Sequence, residues 1–207
     1  MSILQISGKQ PEKEGKHKMN RLLKYFKPLP VIETTRLLLR RAYLTDTDDL
    51  FICMKNENVC KYEVWNAHRT ALETLGFINT LITKYDDNSC TDWIIERKSD
   101  HRAIGVINLH DIAEPNLYAE TGFWLGEEYW NNRYAEESAI AVLNFAFNVM
   151  KLNRVCGMCD IENIRSEKLL RKLNMTYEGT LRQHIKIGNE FRDIKVFSIL
   201  RHEFQHL

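Results

Sequence analysis

The chain has 207 residues, 44% of them hydrophobic, and a formal net charge of +1 at pH 7. That is enough apolar residue for a full buried core, and the near-neutral charge excludes the overall basic field of a nucleic-acid binder. No apolar run reaches about 18 residues and no signal-peptide pattern is present, so neither a membrane span nor an export signal is expected and the cytoplasm is the default location.

Five cysteines, an odd number at irregular spacing, argue against a disulfide framework and for a reducing compartment. The charge is uneven, because residues 1–30 carry seven Lys or Arg against Glu12 and Glu14. The polar stretch from Ser7 to Asn20 is expected to be mobile, and Met19 is a candidate native start. Residues 21–27, RLLKYFK, read as a short amphipathic turn packed on the domain, with contact to an acidic partner as the other reading. No Pro/Gly/Ser-rich linker interrupts residues 32–204. The expected organisation is a basic extension over 1–31, one domain over 32–204 and a tail at 205–207.

Leu37 and Leu39 alternate with Leu38 and Arg40 as a strand does, and residues 45–49 supply caps and first-turn acids for a helix. A second helix opens on Thr70-Ala71-Leu72-Glu73, a capping-box spacing, and turns Leu75, Ile78 and Ile82 inward. Strands are expected at 92–97 and 103–109. Residues 118–125, YAETGFWL, alternate and are rich in aromatics, and a turn follows at Gly126-Glu127-Glu128. From Arg133 the apolar residues Ala135, Ala139, Val142, Leu143, Ala146, Phe147 and Met150 form one helical stripe, which makes 129–134 the first turn of a helix packed on a sheet. A short strand at 154–160 and a helix at 163–174 with Leu169, Leu170 and Leu173 inward come next. The chain closes on a hairpin, 181–187 and 191–200, joined through Gly188-Asn189. This order makes a mixed α/β sheet layered by helices, with no internal repeat.

Three places carry chemistry. The helix start near Tyr134 offers unpaired N–H groups and a positive dipole end, which hold a pyrophosphate without a side-chain cation. Asn131 and Asn132 tolerate the left-handed backbone region, and Arg133 can add a guanidinium. Glu120 lies in an otherwise apolar strand, where a carboxylate is either paired with a nearby arginine or faces a ligand whose ammonium proton it can take. Ser166, three residues past Asn163, is a helix-start capping residue or a hydroxyl facing the site. Two other motifs carry less. His202-Glu203-Phe204-Gln205-His206 fits H-E-x-x-H but leaves no third ligand downstream, and Cys156 and Cys159 in a strand face opposite sides and read as core.

The run ETGFWLGEEYWNNRYAEES resembles the acetyl-CoA site of the GNAT N-acetyltransferases, in their RimJ/RimL-like branch. Of the family pattern Q/R-x-x-G-x-G/A, Trp130-Asn131-Asn132-Arg133-Tyr134-Ala135 keeps strictly only Ala135; against the branch's usual YWGKGYATEA it keeps Tyr-Trp, Tyr-Ala and Glu137 and loses both glycines. The segment NIRSEKLLRKLNMTYEG is similar to N-x-x-S-x-x-x-L-x-K-L-G-F-x-x-E-G at Asn163, Ser166, Leu173, Glu178 and Gly179, with Asn174 and Met175 in place of Gly-Phe. The opening ETTRLLLRRAYLTDTDDLFICM also resembles that branch, so the likeness spans about 32–204.

The resemblance implies a single-domain, mostly antiparallel sheet with helices on both faces, splayed at one strand pair to admit acetyl-CoA as co-substrate, with no metal. It places the cofactor on the backbone of Phe123, Trp124 and Leu125 and on Asn131, Asn132, Arg133, Tyr134 and Ala135, with Asn163 at the pantetheine. It makes Glu120 the base and, because Leu170 stands where many relatives have a tyrosine acid, Ser166 the acid. The implied acceptor is a primary amine, foremost a protein N-terminus such as that of a ribosomal protein. A small amine or antibiotic, or a non-catalytic acyl-CoA-binding module, is the alternative, and the selecting surface lies near Trp65, His68 and His110. Neither nucleic acid nor membrane is an expected partner, and the protein is expected to be a monomer or homodimer.

Overall fold

The computed structural model describes residues 2–3, 20–86 and 89–204. Residues 4–19, which include most of the polar stretch and Met19, and the tail at 205–207 lie outside the described residues.

The strands are β1 (Ser2–Ile3), β2 (Ile32–Glu33), β3 (Leu37–Arg40), β4 (Asp92–Arg97), β5 (Arg102–Ala113), β6 (Tyr118–Leu125), β7 (Arg154–Asp160), β8 (Thr176–Ile187) and β9 (Glu190–Leu200). They form one sheet in the order β2-β3-β4-β5-β6-β7-β9-β8, with β1 attached to β6. Only β6 and β7 run parallel; the other described pairs are antiparallel. The helices are α1 (Thr47–Met54), α2 (Glu57–Cys60), α3 (Ala71–Asp86), α4 (Tyr134–Asn144), α5 (Ile164–Lys172) and α6 (Arg201–Phe204). Helices cover both faces of the central strands, so Ile94, Ile95, Val106 and Ile107 are all buried on successive positions where a one-sided sheet would alternate.

The expected strands at 92–97, 118–125 and 154–160 form with those bounds. The long stripe from Ala135 to Met150 is buried as its spacing requires, but it is not one α-helix: after α4 the chain widens into a π-helical turn, Phe145–Val149. The wider turn keeps Phe145, Ala146 and Phe147 all inward, where a 3.6-residue period would rotate one of them out. Phe145 thereby meets Phe26 and Trp93, with ring centres 5.8 and 5.7 Å away. Phe26 comes from the 3-10 helix Arg21–Phe26, capped by the Asn20 side chain. Leu22 and Phe26 are buried, so this part of the amino-terminal segment packs into the core.

Several details depart from expectation. Arg40, on the strand face opposite Leu37 and Leu39, is buried rather than solvated because Asp46 and Glu96 both pair with it. Glu73 closes its box one residue early, accepting from Arg69 N at 3.1 Å. The inward face of α3 is Thr74, Ile78 and Leu81, with Leu75 and Ile82 half-buried beside it. Helix α2 carries no periodic signal and was not expected; Asn56 caps it through Asn58 N. Glu203 of the H-E-x-x-H run accepts from Leu200 N at 2.8 Å, which makes it a capping residue of α6, while Gln205 and His206 lie outside the described residues. The five cysteines are free and buried, and burial raises the Cys156 thiol to about 11, so it stays protonated at neutral pH.

Candidate active site

The site begins where the one parallel pair ends. β6 and β7 pair from Tyr118↔Arg154 to Thr121↔Gly157 and then part, although β6 continues to Leu125 and β7 to Asp160. Gly157 stands at the fork because a Cβ there would lie 2.7 Å from the Leu170 side chain. Leu170 is thus a packing residue beneath the fork. Since β5 holds one edge of β6, the opened edge along Phe123, Trp124 and Leu125 is available to an extended ligand. Their side chains are buried, so contact there would be through backbone.

β1 uses part of that edge, with Ser2 opposite Trp124 and Ile3 opposite Phe123. Removing residues 1–18 is therefore expected to leave turnover at saturating cofactor unchanged and to lower the KM for acetyl-CoA, which steady-state kinetics on the truncated and full chains would show. An increase in that KM would mean the segment builds the site rather than covering it.

Beyond the edge, a 3-10 turn, Glu127–Tyr129, leads to the start of α4. Trp130 anchors it, its Nε1 donating to Leu125 O at 2.9 Å with Arg165 over its ring at 4.5 Å. Asn131 adopts φ +63°, as its residue type allows. Asn132 does not; it is Arg133, at the position of a family glycine, that takes the second left-handed conformation, φ +62°. Asn132 instead bonds Trp130 O through its side chain and gives its own carbonyl to Arg36. Arg36 also stacks 4.6 Å from the Tyr134 ring and pairs with Glu137, which accepts from Thr34 Oγ1 as well. This explains why Glu137 accompanies the turn: it ties the start of β3 to the first turn of α4.

An open cavity lies next to this turn, bounded by Asn131, Arg133, Tyr134 and Ala135 on one side and by Arg165, Lys168 and Lys172 of α5 on the other. The three basic residues fall at i, i+3 and i+7 on one helical face, a pattern present in the sequence that the motif resemblance does not single out. They supply the cationic wall that the α4 start alone lacks. A left-handed arginine stores about 1–2 kcal/mol. Arg133→Gly is expected to raise the melting temperature by a few degrees while weakening acetyl-CoA by about three- to fivefold, the scale of an exposed ion pair. Scanning calorimetry and titration calorimetry separate the two effects, and no change in affinity would return Arg133 to the solvent.

At the other end of the fork, Glu120 is 9% exposed. Its partner is no arginine: the Tyr118 hydroxyl donates to Oε1 at 2.6 Å. Burial raises the Glu120 carboxyl above its ordinary value, opposed by the Tyr118 hydrogen bond and the His110 charge. Trp124 lies on the same strand face two pleats away, edge-on to Trp65 at 5.7 Å, and Trp65 meets His68 at 5.8 Å. The fold thus gathers Trp65, His68, His110 and Glu120 around one side of the opened strand. Asn163 caps α5, its Oδ1 accepting from Ser166 N at 3.2 Å, so Ser166 is capped rather than capping. Both are buried.

The site thus combines a strand fork, a helix start that faces a basic wall across an open cavity, and a buried carboxylate. The family model "Acetyltransferase (GNAT) domain" matches residues 36–176. The chain is 30% identical over 172 residues to YoaA, an uncharacterised N-acetyltransferase of Bacillus subtilis, covering 83% of this chain and 97% of that one. A GNAT-family acetyltransferase structure from Bacillus anthracis matches at 27% identity and TM-score 0.75, covering 84% of this chain and all of the other. The fold is also that of RimL, a ribosomal alpha-N-protein acetyltransferase in complex with coenzyme A, at TM-score 0.71 and 20% identity, over 83% and 98% of the two chains. This chain belongs to the GNAT acetyltransferase family: it is an acetyl-CoA-dependent acyltransferase. Among the described residues no helix is long and apolar enough to cross a membrane.

Proposed function

We propose that the acceptor is the α-amino group of a protein N-terminus and that Glu120 is its proton acceptor. The observation that carries this is the buried Glu120 carboxylate at the fork, whose carboxyl burial raises above its ordinary value. An α-amino group, near ~8, gives up a proton more readily than a lysine near ~10.4, and the same fold carries the alpha-N-protein activity of RimL. In the ternary complex the ammonium proton passes first to Glu120, the freed amine then attacks the thioester carbonyl, the N–C bond forms and the C–S bond breaks. The backbone of Phe123, Trp124 and Leu125, with Asn163, lies along the pantetheine. The α4 start with Asn131, Arg133, Tyr134 and Ala135 takes the pyrophosphate on a turn shaped by Asn132, and Arg165, Lys168 and Lys172 face the remaining phosphate. The second N–H proton, shed as the C–S bond breaks, passes through the hydroxyl of Ser166, on the first turn of α5, to the thiolate, so that Ser166 ends as it began.

A small polyamine is the second reading, favoured by Asp111 beside Glu120, a second acid that suits a polycation. Thiol release measured across peptides with varied first residues, polyamines and aminoglycosides decides between them. The expected result is the highest kcat/KM on peptides with a free N-terminus, lost when that terminus is blocked. A higher kcat/KM on a polyamine would replace the peptide acceptor.

A further inference from the structure

The surroundings of Glu120 pose a problem that catalysis must solve. Its carboxyl is buried, and the Tyr118 hydroxyl already occupies Oε1. A proton taken from the acceptor has to leave before the next turnover, and the ammonium of the next acceptor blocks the way it came. Among the described residues another route leads from the carboxyl to solvent. His110 is the cross-strand partner of Glu120 in the β5–β6 register, which sets the two side chains next to each other on one face. One polar atom from each of His110, Asp111 and Glu120 lies within 4.8 Å of the other two. His110 Nδ1 contacts Asp111 Oδ2 at 3.1 Å, while Nε2 is enclosed and has no hydrogen-bond partner among the described residues. Asp111, at φ +47° beside the register irregularity between His110 and Ala113, is exposed. The chain of groups therefore runs from a buried carboxyl through an imidazole to solvent.

We propose that His110 is a positioning residue that relays the acceptor's proton from Glu120 to water, with Asp111 orienting the ring. This rests on Glu120 as the proton acceptor. The balance closes without any co-reactant: the ammonium N–H proton goes to a Glu120 oxygen and then to Nε2 of His110. The Nδ1 proton, held toward Asp111, leaves to water, Glu120 is again a carboxylate, and a flip of the imidazole ring brings the protonated nitrogen back to Asp111 for the next cycle. Imidazole suits this because one nitrogen can gain a proton while the other loses one near neutral pH. The other titratable groups facing the pair are Tyr118 on β6, Cys156 on β7 and His184 on β8. Tyr118 and Cys156 are held protonated by burial, so neither drains the carboxyl, and Tyr118 donates its hydrogen bond to it.

The test compares His110→Gln, His110→Ala and Asp111→Asn with wild type between pH 6 and 9.5, with Glu120→Gln run in parallel. His110→Gln is expected to lower kcat about tenfold below pH 8, with the KM for acetyl-CoA and the melting temperature unchanged, and the deficit should shrink as pH rises. Added imidazole should restore His110→Ala toward wild type, and Asp111→Asn should show a smaller loss of the same pH shape. If Glu120→Gln is impaired while His110→Gln keeps wild-type kcat throughout, the relay is wrong and the base stands. A His110 deficit equal at every pH and unmoved by imidazole overturns the relay in favour of a packing role. A Glu120→Gln enzyme with wild-type turnover removes both.

Discussion

Glu120→Gln is expected to lower kcat/KM by about 10²–10⁴-fold near neutral pH, the usual range for loss of a positioned proton acceptor. The amide keeps the shape of the side chain and can still accept from the Tyr118 hydroxyl, whose 2.6 Å bond fixes it in the wild type, but it cannot take an ammonium proton. The deficit should shrink as pH rises, because the acceptor amine then arrives already deprotonated. Stability gives an independent check. Burial raises the folded-state pKa of Glu120 above its unfolded value, so the fold binds this proton more tightly than the unfolded chain does. That preference is present at low pH and is lost as pH rises through the folded pKa. The glutamine variant has no charge to bury, so above that window it should melt at or above the wild-type temperature. A large activity loss with no loss of stability assigns proton transfer to Glu120. Wild-type turnover at pH 7 would make the carboxylate structural.

The fold was legible in this chain wherever burial sets the pattern. YAETGFWL and RVCGMCD pair as neighbouring strands with the predicted bounds, because a strand covered on both faces leaves little freedom in where its apolar run starts and stops. The stripe of α4 was legible for the same reason, through Ala135, Ala139 and Val142, but its first turn begins at Tyr134 and not over 129–134, because Arg133 is left-handed. What escaped depends on contacts between distant segments. The π turn at Phe145 is set by Phe26 and Trp93, one of them more than a hundred residues away, and local periodicity carries no trace of them. The left-handed residue at the phosphate turn falls on Arg133 instead of Asn132 because Asn132 is tied to Trp130 and Arg36, again a tertiary matter. Glu120 could be singled out as a carboxylate in an apolar strand. That its partner is Tyr118, and that His110 lies opposite, requires the register. Arg165, Lys168 and Lys172 were legible as a helical face, but only the α4 start across the cavity gives that face a purpose.

The largest stability effect should come from Arg40→Ala. Arg40 pairs with Asp46 through two hydrogen bonds, 2.9 and 2.7 Å, and with Glu96 through Nε, and the side chains of all three are nearly covered. Burial opposes the charge on Glu96, yet hydrogen bonds from Arg40 and from His101 hold its carboxyl below the ordinary range. Removing the guanidinium leaves two covered carboxylates with only the Tyr43 N–H on Asp46 and His101 on Glu96 against their desolvation penalty. Breaking a buried pair in this way costs about 3–5 kcal/mol, which in a domain of this size lowers the melting temperature by roughly 6–20 °C. The pH dependence comes from the direction of the shift. A depressed folded-state pKa contributes stability above the unfolded value, near ~4.3 for glutamate, and that contribution is lost as pH falls through the folded pKa. In Arg40→Ala the main opposition to burial is gone, so the gap to wild type should be widest at neutral pH and narrow toward pH 4, where the carboxylates take up protons. Urea unfolding at pH 7 and pH 4.5 measures both values. Combining Arg40→Met with Asp46→Asn and Glu96→Gln, which removes the charges together, should recover much of the loss. A single Arg40→Ala variant within 1 kcal/mol of wild type at pH 7 would mean that water reaches the carboxylates and that the network does not hold the β3–β4 corner to the start of α1.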